Sequence, residues 1–273
     1  MTSEKARAKI NLTLHVTGKD AAGYHLLDSL VVFSDQAFDV ISLSPSKDMS
    51  LSVTGKMVKA VPTDGRNLVL KAASLMGATP TSIHLEKNLP AASGIGGGSA
   101  DAAATLRALA QAQNIPLPAA DDVLALGADI PVCLASTPMR MQGIGGDLTP
   151  LPTVPEFHMV LVNTGDAVST RDVFGALTSV NNPPMSLMPE DADFLGFVTW
   201  LKAQRNDMQE AAISICPAIA DAILALSETK GNVLARMSGS GATCFGIYET
   251  VQDADHAVIT LRMAHPKWWV VRG

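Results

Sequence analysis

The sequence predicts an α+β protein of two domains, and three observations carry that reading. Runs of alternating apolar and polar residues mark strands near both ends of the chain. Helical periodicity with caps and glycine stops recurs between the strands. The stretch 150-PLPTVPE-156 has three prolines in seven residues and divides the chain into domains at 1–152 and 153–273. The 273 residues are enough for two ordinary domains, and 47% hydrophobic content supplies a sizeable core. Aromatic residues make up only 4%, so that core is built mainly from Ala, Leu, Val, Ile and Met.

Taken in order, 8-AKINLTLHV-16 alternates cleanly, with Ala8, Ile10, Leu12, Leu14 and Val16 on one face and Lys9, Asn11, Thr13 and His15 on the other. It reads as a half-buried strand. The segment 18–25 reads as a loop, 38–44 and 50–55 as strands, and 67–77 as a helix with an Asn cap and a Gly stop. A strand over 81–88 leads into glycines, then a helix over 100–113 and a short one ending at Gly127. Two short strands flank a glycine turn in 139–151. Beyond the prolines the order is strand 157–163, helix 169–177, a Pro/Asn loop, helices through 191–228, strands 232–238 and 243–249, helix 252–263 and strand 267–272. Strand and helix alternating about a central hairpin predicts a ferredoxin-like α+β sandwich for this half.

Composition excludes several function classes. A net charge of −6 argues against a general nucleic-acid binder. Cys133, Cys216 and Cys244 are far apart with no C-x-x-C pair, so they read as reduced thiols. No apolar run reaches membrane-span length, and the chain enters a strand almost at once, leaving no room for a signal peptide. The expectation is a cytosolic protein, monomeric or weakly dimeric. His15, His84, His158, His256 and His265 show no metal-ligand spacing.

The segment that points to chemistry is 90-PAASGIGGGSADAAATLRALA-110, where four glycines fall within five residues. A linker would be polar and unconstrained. Here the glycines join a predicted strand to a predicted helix. That arrangement aims free N–H groups and a positive helix end at an anion, and missing side chains let it approach. Ser99 stands near the helix start as a cap or as a hydroxyl for phosphate or Mg²⁺, and Asp101 lies in the first turn. No lysine follows the glycines, which rules out a P-loop. Ser99 occupies the third position of G-x-G-x-x-G, which rules out the dinucleotide fingerprint.

P-x-x-S-G-I-G-G-G-S-A-D-A-A resembles the ATP loop of the GHMP kinases. Together with 8-AKINLTLHVTGKDAAGYHLLDSL-30, 127-GADIPVCL-134 and 237-MSGSGATCFGIYE-249, the chain is most similar to the 4-diphosphocytidyl-2-C-methylerythritol kinase family, over nearly its whole length. The resemblance implies an N-terminal domain like the second domain of ribosomal protein S5, a C-terminal ferredoxin-like domain, and an active site in the cleft between them. It implies that ATP, with Mg²⁺, lies on Pro90, Ala91, Ala92, Ser93, Gly94, Ile95, Gly96, Gly97, Gly98 and Ser99, with Ser99 also the nominated metal ligand. The implied reaction is phosphorylation of the 2-hydroxyl of 4-(cytidine 5′-diphospho)-2-C-methylerythritol, in isoprenoid precursor biosynthesis.

The same resemblance assigns the remaining roles. Alone, Asp129 reads as a turn aspartate and Lys9 as a solvated lysine. By resemblance they become the catalytic base and the lysine that orients it. Asn11 then faces the methylerythritol hydroxyls, Tyr24 and His25 the cytosine, and Phe174 supplies a second stacking ring or belongs to the core. Gly239, Ser240 and Gly241 line the substrate phosphates or form only a hairpin turn. The chain departs from the pattern at 163-NTG-165, where relatives carry Asn-Pro-Gly, which predicts a looser loop, and at Ser93, where many carry Gly or Ala. Rival readings are another GHMP kinase, acting on homoserine, mevalonate or a sugar, and a catalytically silent nucleotide-binding module.

Overall fold

The structure is a computed structural model that describes residues 2–59, 61–151 and 153–273. In chain order the elements are β1 (Thr2–Asn11), β2 (His15–Lys19), β3 (His25–Pro45), β4 (Ser50–Thr54), α1 (Leu68–Leu75), β5 (Thr81–Glu86), α2 (Gly97–Gln113), α3 (Ala120–Leu126), α4 (Ile130–Ala135), β6 (Met139–Gly143) and β7 (Asp147–Pro150). Then follow β8 (His158–Asn163), α5 (Thr170–Gly175), α6 (Phe194–Ala203), α7 (Gln209–Ile215), α8 (Ala218–Ser227), β9 (Asn232–Met237), β10 (Cys244–Tyr248), α9 (Val251–Ala264) and β11 (Trp269–Arg272).

The chain forms two compact units that are discontinuous in sequence. One holds the residues up to Lys9 with Phe33–Ala91 and Gly96–Thr137; the other holds Ile10–Val32, Ala92–Ile95 and Pro138–Gly273. A single cut at 152/153 is a different division of the chain, and Pro152 itself lies outside the described residues.

In the first unit the second half of β3 pairs antiparallel with β5, which pairs parallel with β4. Ile41, Leu43, Ile83 and Leu85 are fully or nearly fully buried. Helix α2 carries buried Ala100, Ala102, Ala103, Ala104 and Ala108, small side chains that allow close approach of its neighbours. It starts three residues earlier than its periodicity predicts, because Gly97, Gly98 and Ser99 form its first turn despite the poor helix propensity of glycine. Gly96, at φ +65, is its N-cap, so Ser99 is not the cap. Helix α4 was not expected. Pro131 follows Ile130 in its first turn, where a residue needs no N–H for the helix.

In the second unit β2 pairs with the first half of β3, which pairs with β6, and β6 with β7, all antiparallel. A separate four-stranded antiparallel sheet has the order β11-β8-β10-β9. With α5–α8 between β8 and β9 and α9 between β10 and β11, this is the expected ferredoxin-like pattern. Its core includes Val160, Val162, Ile219, Cys244, Tyr248 and Ala257.

Two strand expectations change. The strand over 8–16 is interrupted after Asn11, and His15 begins a new one. Its polar face is also buried, with Lys9 at 3%, Asn11 and Thr13 at 0% and His15 at 1% exposure. The strand over 38–44 is the end of a 21-residue strand beginning at His25. The exposed pair Asp35–Gln36, where the Ser34 hydroxyl accepts the Gln36 and Ala37 N–H groups, breaks the alternation that would have revealed it.

Candidate active site

In the first unit, β1 delivers Lys9 and the start of α4 delivers Asp129. The ammonium Nζ lies 2.8 Å from Asp129 Oδ1. Lys9 is buried, while the Asp129 side chain keeps 37% exposure. Asp129 occupies the N-cap position of α4, yet its carboxylate caps no helix N–H and is directed to Lys9 instead. Gly96 packs on the lysine stem: a Cβ there would lie 3.3 Å from both Lys9 Cβ and Cε. The start of the glycine helix and the Lys9–Asp129 pair are therefore neighbours. Cys133 lies beside them, and burial pushes its thiol up to about 12, so it stays protonated and inert.

A second charged group in this unit was missed by the sequence reading. Lys87 Nζ donates to Asp39 Oδ2 at 2.5 Å and to Asp101 Oδ2 at 2.6 Å, and all three side chains are buried. Asp39 Oδ1 also accepts the Asn88 and Leu89 N–H groups. A Cβ on Gly97 would lie 3.2 Å from Lys87 Nζ, so the cluster sits directly under the first turn of α2. Burial pushes the Asp101 carboxyl up to about 7 even with Lys87 beside it. Burial also pulls the Lys87 ammonium down, but its two carboxylates outweigh that and hold it above its ordinary value. Asp101 Oδ1 is buried without a hydrogen-bond partner among the described residues. No sequence motif joins residues 39, 87 and 101; only a Lys and two Asp at apolar-flanked positions hinted at it.

In the second unit the first part of the glycine loop, Ala92–Ile95, is locked to the turn between β9 and β10. Thr243 N–H donates to Ser93 O at 3.0 Å, and Ser238 Oγ donates to Gly94 O at 3.1 Å. The backbones interlock: a Cβ on Gly94 (φ +75) would fall 2.4 Å from Ser238 O, and one on Gly239 (φ +57) 2.6 Å from Gly94 O. Glycine is required at both positions. Asn11 enters the same network, its N–H donating to Ser238 Oγ at 3.0 Å and its Nδ2 to Ser29 Oγ at 2.8 Å. Ser240 Oγ lies 2.7 Å from the Thr170 hydroxyl.

His25 and Phe174 stack with ring centroids 4.2 Å apart and planes 9° from parallel. Tyr24 stands on a turn closed by Asp20 and is 65% exposed. Asn11 Oδ1 and His25 Nε2 are buried and have no hydrogen-bond partner among the described residues. Burial, then Lys19, lowers the His25 pKa, which favours the neutral imidazole. In the 163-NTG-165 loop Asn163 Oδ1 accepts the Gly165 N–H at 2.9 Å, and its Nδ2 donates to Thr243 Oγ1 at 2.9 Å. A polar cavity of about 540 Å³ elsewhere in this unit is walled by residues such as Asn182, Arg205, Asn206 and Arg236, and contains none of the sequence-predicted site residues.

Among the described residues no group of three or more His, Cys, Asp or Glu could hold a metal ion. No helix among them is long and apolar enough to cross a membrane. Cys133, Cys216 and Cys244 are free thiols.

Known proteins resemble this chain throughout. A model of the GHMP kinase N-terminal domain matches residues 67–140, and one of the C-terminal domain matches 196–261. The chain is 50% identical to the 4-diphosphocytidyl-2-C-methyl-D-erythritol kinase of Cereibacter sphaeroides over 272 residues, covering 99% of this chain and 98% of the relative. It is 51% identical to the protein of that name from Roseobacter denitrificans over 271 residues, covering 97% and 90%. The crystal structure of a 4-(cytidine 5′-diphospho)-2C-methyl-D-erythritol kinase aligns with a TM-score of 0.78 at 27% identity, covering 99% of this chain and 98% of that one. A homoserine kinase from Cytophaga hutchinsonii aligns at 0.65 with 14% identity over 100% and 94%, a likeness of fold alone. With the two-unit α+β architecture and the glycine helix start already in place, these matches settle its kinship: the chain belongs to the GHMP kinases, in the family of 4-diphosphocytidyl-2-C-methyl-D-erythritol kinases.

Proposed function

We propose that the chain transfers the γ-phosphoryl group of ATP to the 2-hydroxyl of 4-(cytidine 5′-diphospho)-2-C-methyl-D-erythritol. The observation that carries the chemistry is the Lys9–Asp129 pair beside Gly96. Phosphoryl transfer asks the protein mainly for positioning and charge stabilisation. Asp129, half-open to solvent and not engaged as a helix cap, is placed to take the hydroxyl proton. Lys9 orients that carboxylate, and its buried ammonium faces the charge that builds on the transferring group. The backbone from Pro90 through Ser99 cradles the nucleotide phosphates at the start of α2.

Two of the four unpartnered buried atoms among the described residues support the acceptor assignment. Asn11 Oδ1 is an acceptor waiting for a hydroxyl, and His25 Nε2 is a free ring nitrogen suited to a base edge. Tyr24, with its exposed ring, supplies aromatic surface for cytosine, while Phe174, partly buried against the core, stacks on the His25 ring and backs it. Gly239, Ser240 and Gly241 offer backbone to the diphosphate. Mg²⁺ fits as a hard cation arriving on ATP, since Ser99 offers a hydroxyl in the first turn of α2. When bound it neutralises charge on the β- and γ-phosphates. The family models fall on either side of 152/153, which supports that cut as the domain boundary in the family's sense. Free cysteines favour a reducing, cytosolic setting.

ADP release by the purified chain with Mg·ATP, against the cytidyl substrate, homoserine, mevalonate and galactose in parallel, tests the reading. Turnover on the cytidyl compound alone is expected. Turnover on another alcohol would discard the Tyr24–His25 pocket, and nucleotide binding without turnover on any would favour a silent module.

A further inference from the structure

Asn206 lies in a segment, Arg205–Asn206–Asp207, to which no motif drew attention. It is 8% exposed and bridges to Leu14 as a parallel pair, with Leu14 N–H donating to Arg205 O at 2.9 Å and Asp207 N–H donating to Leu14 O at 2.8 Å. Three of the four hydrogen-bonding capacities of its carboxamide are engaged. Nδ2 donates to Met237 O at 2.8 Å and to Gly239 O at 2.9 Å, and Oδ1 accepts the Met208 N–H at 3.0 Å. The two carbonyls it grips flank Ser238. Ser238 Oγ in turn accepts the Asn11 N–H and donates to Gly94 O. Gly94 and the 238–241 turn are in direct backbone contact, with no room for a Cβ at Gly94 or Gly239.

We propose that Asn206 is a positioning residue for nucleotide binding: by clamping Met237 O and Gly239 O it fixes the β9–β10 turn in the one conformation that holds Gly94, and with it the first part of the glycine loop, in register. The proposal rests on the reading of that loop as the ATP site. A side chain with a single donor cannot replace the amide, because two carbonyl oxygens on one side must both be satisfied. A carboxylate of the same shape would face both of them with no proton to give.

The test uses the full-length chain as wild type, Asn206→Asp and Asn206→Ala, each measured well below its own melting temperature. AMP-PNP with Mg²⁺ is titrated calorimetrically, and KM for ATP and kcat are measured. Both variants are expected to bind the nucleotide roughly ten-fold more weakly and to show a matching rise in KM for ATP. A lowered melting temperature with unchanged nucleotide affinity means a merely structural role and overturns the proposal. Wild type that binds no nucleotide overturns the loop reading itself and the proposal with it. Amide hydrogen exchange on wild type needs no variant. Saturation with AMP-PNP is expected to slow exchange at Gly239–Ala242 and at the Asn206 carboxamide, and unchanged exchange at both overturns the proposal.

Discussion

Asp129 illustrates how little a residue's local position says about its work. At the start of α4 an aspartate would ordinarily cap the helix, a favourable interaction of about 1 kcal/mol. This one gives up the cap and takes Lys9 at 2.8 Å. If it accepts the substrate proton, Asp129→Asn keeps the shape and loses the base, and kcat falls about 10²–10⁴-fold with little change in KM for ATP. Steady-state kinetics decide this, and near-wild-type turnover would remove Asp129 from the mechanism. Tyr24, by contrast, touches little of its own protein. Tyr24→Ala is expected to raise KM for the cytidyl substrate about ten-fold through lost base stacking and to leave the melting temperature unchanged.

At the scale of elements, the glycine helix depends on two kinds of glycine. Gly96, Gly94 and Gly239 adopt left-handed backbone, and the latter two also touch the opposing main chain. Gly98 has no such demand: its φ is ordinary and a Cβ there would meet Leu68 Cδ1 at 3.7 Å, normal contact. Gly94→Ala is therefore expected to cost about 1–3 kcal/mol in strain alone and to abolish nucleotide binding. Gly98→Ala is expected to fold as wild type or slightly better, as alanine favours a helix by about 1 kcal/mol over glycine. Chemical denaturation of the pair separates these outcomes, and equal losses would mean that the loop is insensitive to main-chain contact.

For the molecule as a whole, buried ionisable groups tie stability to composition and pH. Lys87 pairs with both Asp39 and Asp101 in a buried site. Lys87→Met would leave two buried carboxylates facing each other and is expected to destabilise folding by about 3–5 kcal/mol, readable as a shifted denaturation midpoint. His15 acts through protons. Its Nε2 is buried and unpartnered among the described residues, and burial lowers its pKa below the ordinary 6.5, the Pro183 carbonyl opposing. The unfolded chain then binds a proton that the folded one refuses, so this contribution to stability is present above pH 6.5 and is lost progressively as pH falls from there through the lowered folded-state pKa. Comparing urea midpoints of wild type and His15→Gln between pH 7.5 and 5.5 isolates the imidazole. The variant is expected to lose less stability on acidification, and parallel curves would show that His15 does not titrate in folding.

Much of this was legible in the sequence because it is local. The Asn67 cap, the hairpins, the C-terminal β-α-β-β-α-β order and the glycine run before a helix all follow from spacing and residue type within a few positions. The motifs around Lys9, Asp129 and 237–249 pointed to the family by their order along the chain. Other features were invisible because they arise from long-range contacts. Nothing near Lys9 says that its strand has two buried faces, and β3 hid its length behind Asp35 and Gln36. Asp39, Lys87 and Asp101 are ordinary charged residues until folding removes their water and leaves them only one another. Asn206 falls within the 191–228 stretch that reads as helices, and nothing in its spacing announces that two carbonyls from a distant turn meet its amide. The sequence by itself determined the family and most of the elements and nominated the residues proposed to bear the chemistry, since those depend on side-chain type and short spacing. Only the tertiary structure decided which charges are buried together and which side chains hold the glycine loop, because desolvation and hydrogen-bond geometry exist only once distant segments meet.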